Sequence, residues 1–416
     1  MKTEGLHIVR PRAAGLDVHK MEITATVRLC EGEGEPVMET RCFSTLPSGL
    51  DEMVAWLSDH GVEAAVMEGT GVYWQAPFAA LEAAGIEAIL VHARQVKQLK
   101  GRKTDVADSV WLACVCQFGL CTPSHVPPEP FRQLRALSRQ RRVLVRQRST
   151  VRNRVQKIID RAGVRIGGIL SDVFGVNGRK ILDGLAEGTA REVILASLTS
   201  HVASKLEGLG EALTLSLGDN DRFMLSDLLE ENDALEARIA SYTAKIDEQM
   251  TPWEEQLRLL TTIPGIDRIA ASTILIEIGP DIEVFASKQH FAAWAGLCPG
   301  NNESGGKRRN ARTRMGSKTL RAALVECAHG AARTKGCQFE AHHRALAARR
   351  GYKRAIVAGA HKMLRIIYVV LKNGRPYYDH TADYEALMVK RNAPRWIRML
   401  RRYGYVEPVD AELKAA

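Results

Sequence analysis

Residues 13–30 read AAGLDVHKMEITATVRLC, and this stretch opens the fold. After its apolar start, every second residue from Ile23 to Leu29 is apolar, which is the pattern of a half-buried strand. The turn residues GEGEP (32–36) separate this strand from a second one, Val37 to Phe43. The sequence therefore predicts a β-hairpin at the start of the fold.

Helices and strands alternate in the residues that follow. Leu50 to His60 has helical spacing, and Ala64 to Met67 is a short apolar strand that ends at Glu68. A helix over Gln75–Ala84 then leads to another apolar strand, Ala88 to Val91. A hairpin followed by alternating α and β elements predicts a mixed sheet flanked by helices.

Two long helices with seven-residue repeats come next. The repeat positions are Leu137, Leu144, Val151 and Ile158 in the first helix, and Leu225, Asn232, Ile239, Ile246 and Trp253 in the second. Sustained heptads are typical of coiled-coil arms, in which a lone seam Asn fixes the register. Two helices of a compact bundle give the same pattern. We favour arms because the segment between them, 163–221, is Gly-rich and weakly patterned.

From Leu257 onward the sequence predicts short helices, Gly/Pro turns and high basic content. The expected fold is thus α/β plus α. Its predicted domains are an α/β domain over 10–125, helical arms over 126–256 and a mostly helical domain over 257–416.

Composition excludes several classes of protein. Hydrophobic residues make up 45% and charged residues 25% of the 416 residues, which is ordinary for a soluble globular protein. No apolar run approaches the ~18 residues of a membrane span, and the first residues lack the apolar core of a signal peptide. We therefore expect a cytoplasmic, nucleoid-associated protein with no membrane partner.

The eight cysteines show no CxxC pair and are expected to be reduced thiols. One cluster, Cys114, Cys116, Cys121 and His125, raises the alternative of a zinc site. The spacing fits no common structural zinc site, and Cys114 and Cys116 fall in an expected buried helix. We do not favour zinc.

Basic residues are concentrated in two stretches. Residues 129–165 contain 12 Lys/Arg and 2 acids, and residues 307–365 contain 16 Lys/Arg and 2 acids. The whole chain has a net charge of only +10, so the remainder is acidic. Charge segregated in this way indicates basic surfaces for a polyanion, and nucleic acid is the expected partner.

Four acids form a candidate metal site: Asp17, Glu68, Asp105 and Asp108. Asp17 and Glu68 lie at predicted strand ends, while Asp105 and Asp108 lie three residues apart at a predicted helix start. Each acid alone can be a turn or cap residue. Together they provide the hard oxygen ligands that magnesium prefers, in the layout of a ribonuclease-H-like nuclease fold.

Two motifs lie in the last predicted domain. Leu260–Gly279 places a Pro-Gly turn at Gly265 between two apolar helices, as in a helix-hairpin-helix that binds DNA phosphate through backbone N–H groups. A tight turn in a small core is the alternative. Further on, Ser304 precedes two glycines and the cations 307–309, but on residue chemistry alone Ser-Gly-Gly is a common turn. Ser317 is a second candidate nucleophile and is better explained as a helix N-cap.

GLDVHK, MEGTGVYW, KTDVADS and AGLCPGNNESGGK resemble motifs of the DEDD insertion-sequence transposases of the IS110 group, which includes the Piv-type DNA invertases. The resemblance covers most of residues 10–115 and resumes in the last domain. It implies a RuvC-like N-terminal domain and a catalytic magnesium site at Asp17, Glu68, Asp105 and Asp108. It also implies that Ser304 is the nucleophile of recombination.

The resemblance further implies dimers and tetramers, with the acids of one subunit completing a site with the serine of another. It implies a structured non-coding RNA that selects donor and target DNA. The first basic helix is our hypothesis for the RNA site. The expected nucleic-acid contacts are Lys103, Arg141, Arg142, Arg146, Arg148, Arg152, Gly265, Lys307, Arg308, Arg309, Lys318 and Arg321.

The sequence is compatible with three functions. The leading one is a site-specific DNA recombinase or transposase that uses Ser304 and the acids. The second is a RuvC-like, metal-dependent nuclease in which Ser304 is structural. The third is a non-catalytic nucleic-acid-binding protein, for which Asp17→Asn would change nothing. The presence of the four acids together with the serine argues against the third.

Overall fold

The structure is a computed structural model that describes residues 7–30, 35–69, 71–92, 105–300, 302–305, 307–310, 313, 316–379 and 381–406. The chain forms two compact units, Met1–Glu129 and Pro130–Ala416. Each unit buries its own apolar clusters. The finer division into three domains stays a prediction.

A five-stranded mixed sheet forms the centre of the first unit. Its strands are β1 (Arg12–Val18), β2 (Glu22–Leu29), β3 (Val37–Ser44), β4 (Ala64–Glu68) and β5 (Glu87–Val91). The spatial order is β3-β2-β1-β4-β5, with β1, β2 and β3 antiparallel and with β4 and β5 parallel to β1. This order and these directions are those of a ribonuclease-H-like sheet, so the predicted fold class is confirmed.

Helices cover both faces of the sheet. They are α1 (Pro47–Asp59), α2 (Gln75–Ala83) and α3 (Asp105–Gln117). Trp56 of α1 and Phe78 of α2 pack in one cluster with Leu16 and Met67 of the sheet. Leu112 of α3 packs in a second cluster on the opposite face. The three predicted helices are therefore present, and they sandwich the sheet.

Residues 13–30 differ from the prediction, because they form two antiparallel strands instead of one. The turn between β1 and β2 is closed by a 2.9 Å hydrogen bond from His19 N to Glu22 O. Half-burial was also wrong, since Thr24 and Thr26 are only 4% and 0% exposed. Helix α3 covers the face that the alternation assigned to solvent, and a local pattern cannot reveal a helix from a distant part of the chain.

In its described residues, the second unit is helical apart from one small hairpin. Its helices are α4 (Glu129–Arg161), α5 (Val176–Glu187), α6 (Arg191–Ser197), α7 (Leu206–Ala212), α8 (Asp219–Met250), α9 (Glu254–Thr261), α10 (Arg268–Ile278), α11 (Lys288–Trp294), α12 (Lys318–Arg333), α13 (Gln338–Arg350), α14 (Tyr352–Asn373) and α15 (Thr381–Arg402). The hairpin strands are β6 (Asn302–Ser304) and β7 (Lys307–Asn310). None of the helices in the described ranges is long and apolar enough to cross a membrane.

The two predicted heptad helices, α4 and α8, pack against each other within the chain. Arg141 Nε donates to Thr243 Oγ1 at 2.6 Å, and Arg152 Nε donates to Oδ1 of the buried Asn232 at 3.0 Å. As the residue number rises along α4 it falls along α8, so the pair is antiparallel. The intervening segment adds apolar residues to the same core. Association of subunits through these helices stays a prediction.

Candidate active site

Two acids lie at the carboxyl ends of adjacent parallel strands. Glu68 is the last residue of β4, and Asp17 is the last but one of β1. Leu16 is opposite Met67 in the parallel register, so Asp17 and Glu68 take the next pair of positions, on one face of the sheet. The Asp17 side chain is 18% exposed, and its Oδ2 lies 3.3 Å from His19 Nε2.

Helix α3 packs very closely on this face because β1 has a glycine there. A Cβ on Gly15 would lie 2.2 Å from both Ala113 N and Ser109 O. Glycine at this position therefore lets the backbone of the helix rest directly on the strand. A side chain here would push α3, and the acids it carries, away from the sheet.

The direction of α3 follows from two contacts. Cys116, near its end, donates to Ala64 O at the start of β4 with an Sγ–O distance of 3.6 Å. Ser109, near the start of α3, lies against Gly15, which is closer to the carboxyl end of β1 than the residue paired with Ala64. The first turn, which carries Asp105 and Asp108, is therefore directed toward the carboxyl ends of the strands.

The backbone thus brings the segments that carry all four predicted acids to one edge of the sheet. Three of the side chains, Asp17, Glu68 and Asp108, are described, and that of Asp105 lies outside the described part. Within the described chain, no three His, Cys, Asp or Glu side chains are grouped closely enough to hold a metal ion. The donor set fits a hard cation, because all four are carboxylates. Its role as a metal site stays a prediction.

The zinc alternative gains no support from the structure. Cys114 and Cys116 are buried in α3, as expected. Burial raises the pKa of the Cys116 thiol to about 12, which disfavours the thiolate that zinc requires. Among the described residues, Cys114, Cys116, Cys121 and His125 do not form a three-ligand group.

Ser304 ends β6 at a tight hairpin turn. It is opposite Lys307 of β7, so only two glycines connect the strands. Gly305 has a φ of 57°, a conformation that residues with a side chain rarely adopt. The turn brings the backbone of Ser304 beside that of the cationic stretch 307–309. The side chains of Ser304 and 307–309 lie outside the described part, so their chemical roles stay predictions.

Ser317 is a helix N-cap, as the sequence predicted. Its Oγ accepts a 3.2 Å hydrogen bond from Leu320 N at the start of α12. The same hydroxyl donates to Glu277 Oε2 at 3.0 Å. Ser317 therefore has a structural task, which weakens it as a rival nucleophile.

Glu277 is an important residue that the sequence analysis missed. Its side chain is 1% exposed and accepts two hydrogen bonds from Arg139, at 2.9 and 3.0 Å. The backbone oxygen accepts from Arg135, whose pKa is lowered to about 10 mainly by burial. The cluster ties α4 and α10 to the start of α12, directly after the hairpin segment. A lone acid in the apolar run ILIEIG (274–279) is the signal that could have found it.

We expect Glu277→Ala to destabilise the second unit. Removing the carboxylate takes the counter-charge from the largely buried guanidinium of Arg135 and two hydrogen bonds from Arg139, a loss on the order of 3 kcal/mol. The midpoint of thermal unfolding, followed by circular dichroism, should fall by about 6–12 °C. Glu283→Ala, at an exposed acid nearby, is the control and should change little. If the two variants unfold at the same temperature, the Glu277 cluster does not stabilise the second unit.

Most predicted nucleic-acid contacts on α4 have partners inside the unit. The side chains of Arg141, Arg142, Arg148 and Arg152 all form hydrogen bonds or ion pairs there. Arg146, in contrast, is exposed. A polyanion can therefore reach Arg146 directly, whereas the other four arginines would have to exchange an existing partner.

The nucleic-acid contacts predicted in the last domain differ in whether they are exposed or already bonded within the chain. Lys318 is exposed, whereas Arg321 donates to Gly296 O at 2.8 Å. Gly265 forms the turn between α9 and α10 with a φ of 83° and packs so closely on α12 that a Cβ would lie 2.3 Å from Cys327 O. Two helices joined by a Pro-Gly turn are present, as expected for both the helix-hairpin-helix and the tight core turn, and phosphate binding there stays a prediction. Lys103 lies outside the described residues.

The chain is similar to known proteins in two regions. Residues 14–163 match the DEDD-type IS110 transposase family, and residues 257–344 match the transposase IS116/IS110/IS902 family. A probable family 20 transposase of Pseudomonas aeruginosa is 27% identical over 287 residues, which cover 67% of this chain and 75% of the relative.

Two further relatives match over shorter segments. A putative transposase of Sinorhizobium fredii is 34% identical over 30% of this chain and 33% of its own length. The pilin gene-inverting protein of Moraxella bovis is 32% identical over 29% of this chain and 38% of its own length. Thermus thermophilus RuvC matches 27% of this chain and 99% of its own, with 18% identity and a TM-score of 0.22.

Proposed function

The chain belongs to the IS116/IS110/IS902 transposase family, and from that premise we propose that it recombines DNA through Ser304 and a magnesium-binding acid set (Asp17, Glu68, Asp105 and Asp108). Cleavage and rejoining of DNA is the activity of such a transposase. The single observation that supports the acid set is the register of β1 and β4, in which Asp17 and Glu68 follow the paired residues Leu16 and Met67 at the edge toward which the DxxD turn of α3 is directed. The match of residues 257–344 to the transposase family supports Ser304.

The proposed reaction conserves the number of phosphoester bonds. Ser304 Oγ attacks a DNA phosphorus, so that an Oγ–P bond forms while the bond from phosphorus to a sugar oxygen breaks. The hydroxyl proton of Ser304 passes by way of a carboxylate or water to the released sugar oxygen. A hydroxyl of the exchanged strand then attacks the phosphoserine and restores the serine, so no external energy source is required.

The acids and the cations have separate tasks in this scheme. Magnesium bound by the acids would supply positive charge to the phosphate oxygens as negative charge builds up on them. Lys307, Arg308 and Arg309, next to Ser304 in sequence, would hold the same phosphate through charge-assisted hydrogen bonds. The hairpin turn fixes the backbone of the serine, which limits the freedom lost on reaching the phosphorus.

The proposed partners are donor and target DNA, a structured non-coding guide RNA, and further copies of this chain. The basic segment 129–165 supports a nucleic-acid site on α4, where Arg146 is exposed. Strand exchange requires several nucleophiles at once, which supports a dimer or tetramer.

A strand-exchange assay tests the proposal. Purified protein, magnesium and the RNA encoded beside the gene are incubated with two duplexes, one carrying the element's junction and one its target. We expect joined products, detected by amplification across the new junctions, that disappear when magnesium is chelated. Cut DNA without joined products would favour the RuvC-like nuclease with a structural serine. Binding without cutting would favour the non-catalytic protein.

A further inference from the structure

A basic cavity in the second unit takes no part in the site described above. It has a volume of about 460 Å³ and is bordered by the second half of α14, the start of α11 and the segment 375–378. Six of its lining residues matter for what it can bind: Lys288, Lys362, Arg365, Val369, Arg375 and Tyr378. Its volume is in the range of about 300–1,000 Å³ that is usual for small-ligand sites.

The charge of the lining favours an anion. Four of the lining residues are Lys or Arg, and none of the lining residues is acidic. An anionic oxygen entering the cavity would gain Coulomb attraction and charge-assisted hydrogen bonds to these side chains.

Most of the remaining lining residues are apolar or aromatic, and the exceptions are Gln338 and Asn373. Val369 is 41% exposed and Tyr378 is 72% exposed, so a ligand in the cavity can contact both side chains. A free phosphate would make no use of the exposed apolar and aromatic side chains, and a purely apolar ligand would leave the four cations without a counter-charge. A ligand that carries a phosphate and a flat ring uses both parts of the lining.

Hydrogen bonds hold the wall that carries Tyr378 in place. The neighbouring Tyr377 accepts from Gln338 Nε2 at 2.6 Å and donates to Asp379 Oδ2 at 3.0 Å. Its backbone N donates to Thr262 Oγ1 at 2.9 Å, just before the turn between α9 and α10. Because the wall is already ordered, binding would cost little conformational entropy there.

We propose that this cavity binds one unpaired nucleotide, with its phosphate at Arg365, Lys288 and Arg375 and its base stacked on Tyr378. The base must be unpaired, because a duplex keeps its bases stacked inside the helix. The inference rests on the proposed function only for the source of the strand, which is either DNA opened during exchange or a single-stranded part of the guide RNA.

Fluorescence anisotropy of the full chain tests the cavity with three labelled probes: a thymidine decamer, a uridine decamer and a blunt duplex of twenty base pairs. We expect Tyr378→Ala and Arg365→Gln each to weaken binding of a single-stranded probe about tenfold and binding of the duplex less than twofold. The decamer with the larger loss identifies DNA or RNA as the source. Tyr405→Ala and Arg238→Gln, at exposed residues outside the cavity, are the matched controls.

Two outcomes would overturn the cavity proposal: unchanged binding of both decamers, or an equal loss for the duplex, which indicates only a basic surface. The exposed position of Tyr378 keeps its variant folded, and the unfolding midpoint verifies this. The assay involves no cleavage, so its failure is separate from failure of strand exchange. If strand exchange fails while Tyr378→Ala still weakens binding of the decamers, the cavity proposal is supported and the proposed function is contradicted.

Discussion

Replacement of Asp17 by Asn is expected to lower the rate of DNA cleavage by about a hundred- to a thousandfold and to leave DNA binding within about twofold. The amide keeps the size of the side chain, which is 18% exposed at the end of β1, and removes only its charge. A site that holds a divalent cation depends on that charge, whereas the contacts expected with the DNA backbone involve cations elsewhere in the chain.

Asp51→Asn is the matched control for this variant. Asp51 is an exposed acid on α1, in the same unit but outside the predicted set of four acids, and its replacement should leave the rate unchanged. Cleavage is measured on a labelled junction duplex at saturating magnesium, and far-ultraviolet circular dichroism verifies the fold of both variants. If Asp17→Asn cleaves as fast as the control, the acids are not a catalytic metal site.

Replacement of Ser304 by Ala is expected to remove all covalently linked protein–DNA product and all joined DNA. Without Oγ no atom at this position can form the phosphoester, so the loss is complete instead of graded. DNA binding should remain, because the hairpin backbone depends on the glycines and not on the serine hydroxyl. The product is measured as a DNA-linked protein band on a denaturing gel.

Ser317→Ala separates a nucleophile from a structural serine. It removes the N-cap of α12 and the hydrogen bond to Glu277, which should cost about 1 kcal/mol of stability but leave the linked band in place. If the wild type and Ser304→Ala both release free cut DNA and neither gives a linked band, Ser304 is not the nucleophile and the protein is a metal-dependent nuclease.

Elements that depend on local patterns were predictable from the sequence. Helix α2 begins at Gln75, and α3 begins at Asp105 within the stretch KTDVADS, as the sequence predicted. The split of residues 13–30 into two strands was missed, because the turn from His19 to Glu22 contains no Gly or Pro. The burial of Thr24 and Thr26 was missed for another reason: the covering helix lies some eighty residues further along the chain.

The candidate site was likewise predictable from the sequence only in part. Asp17 and Glu68 were recognisable as strand-end acids, because parallel strands bring their carboxyl ends to one edge. Ser304 depended on the resemblance, since Ser-Gly-Gly by itself indicates only a turn. The Glu277 cluster and the basic cavity could not be predicted, because their members come from segments far apart in sequence and meet only through tertiary packing.

The central claim is that Ser304 becomes bonded to DNA, and mass spectrometry of the linked product tests it most directly. Cleavage by trypsin after Lys288 and Lys307 yields the peptide QHFAAWAGLCPGNNESGGK, in which Ser304 is the sole Ser, Thr or Tyr. After nuclease digestion of the linked product, we expect a nucleotide mass added to this peptide at Ser304. A nucleotide on any other peptide, or linked protein without a modified Ser304, would contradict the account.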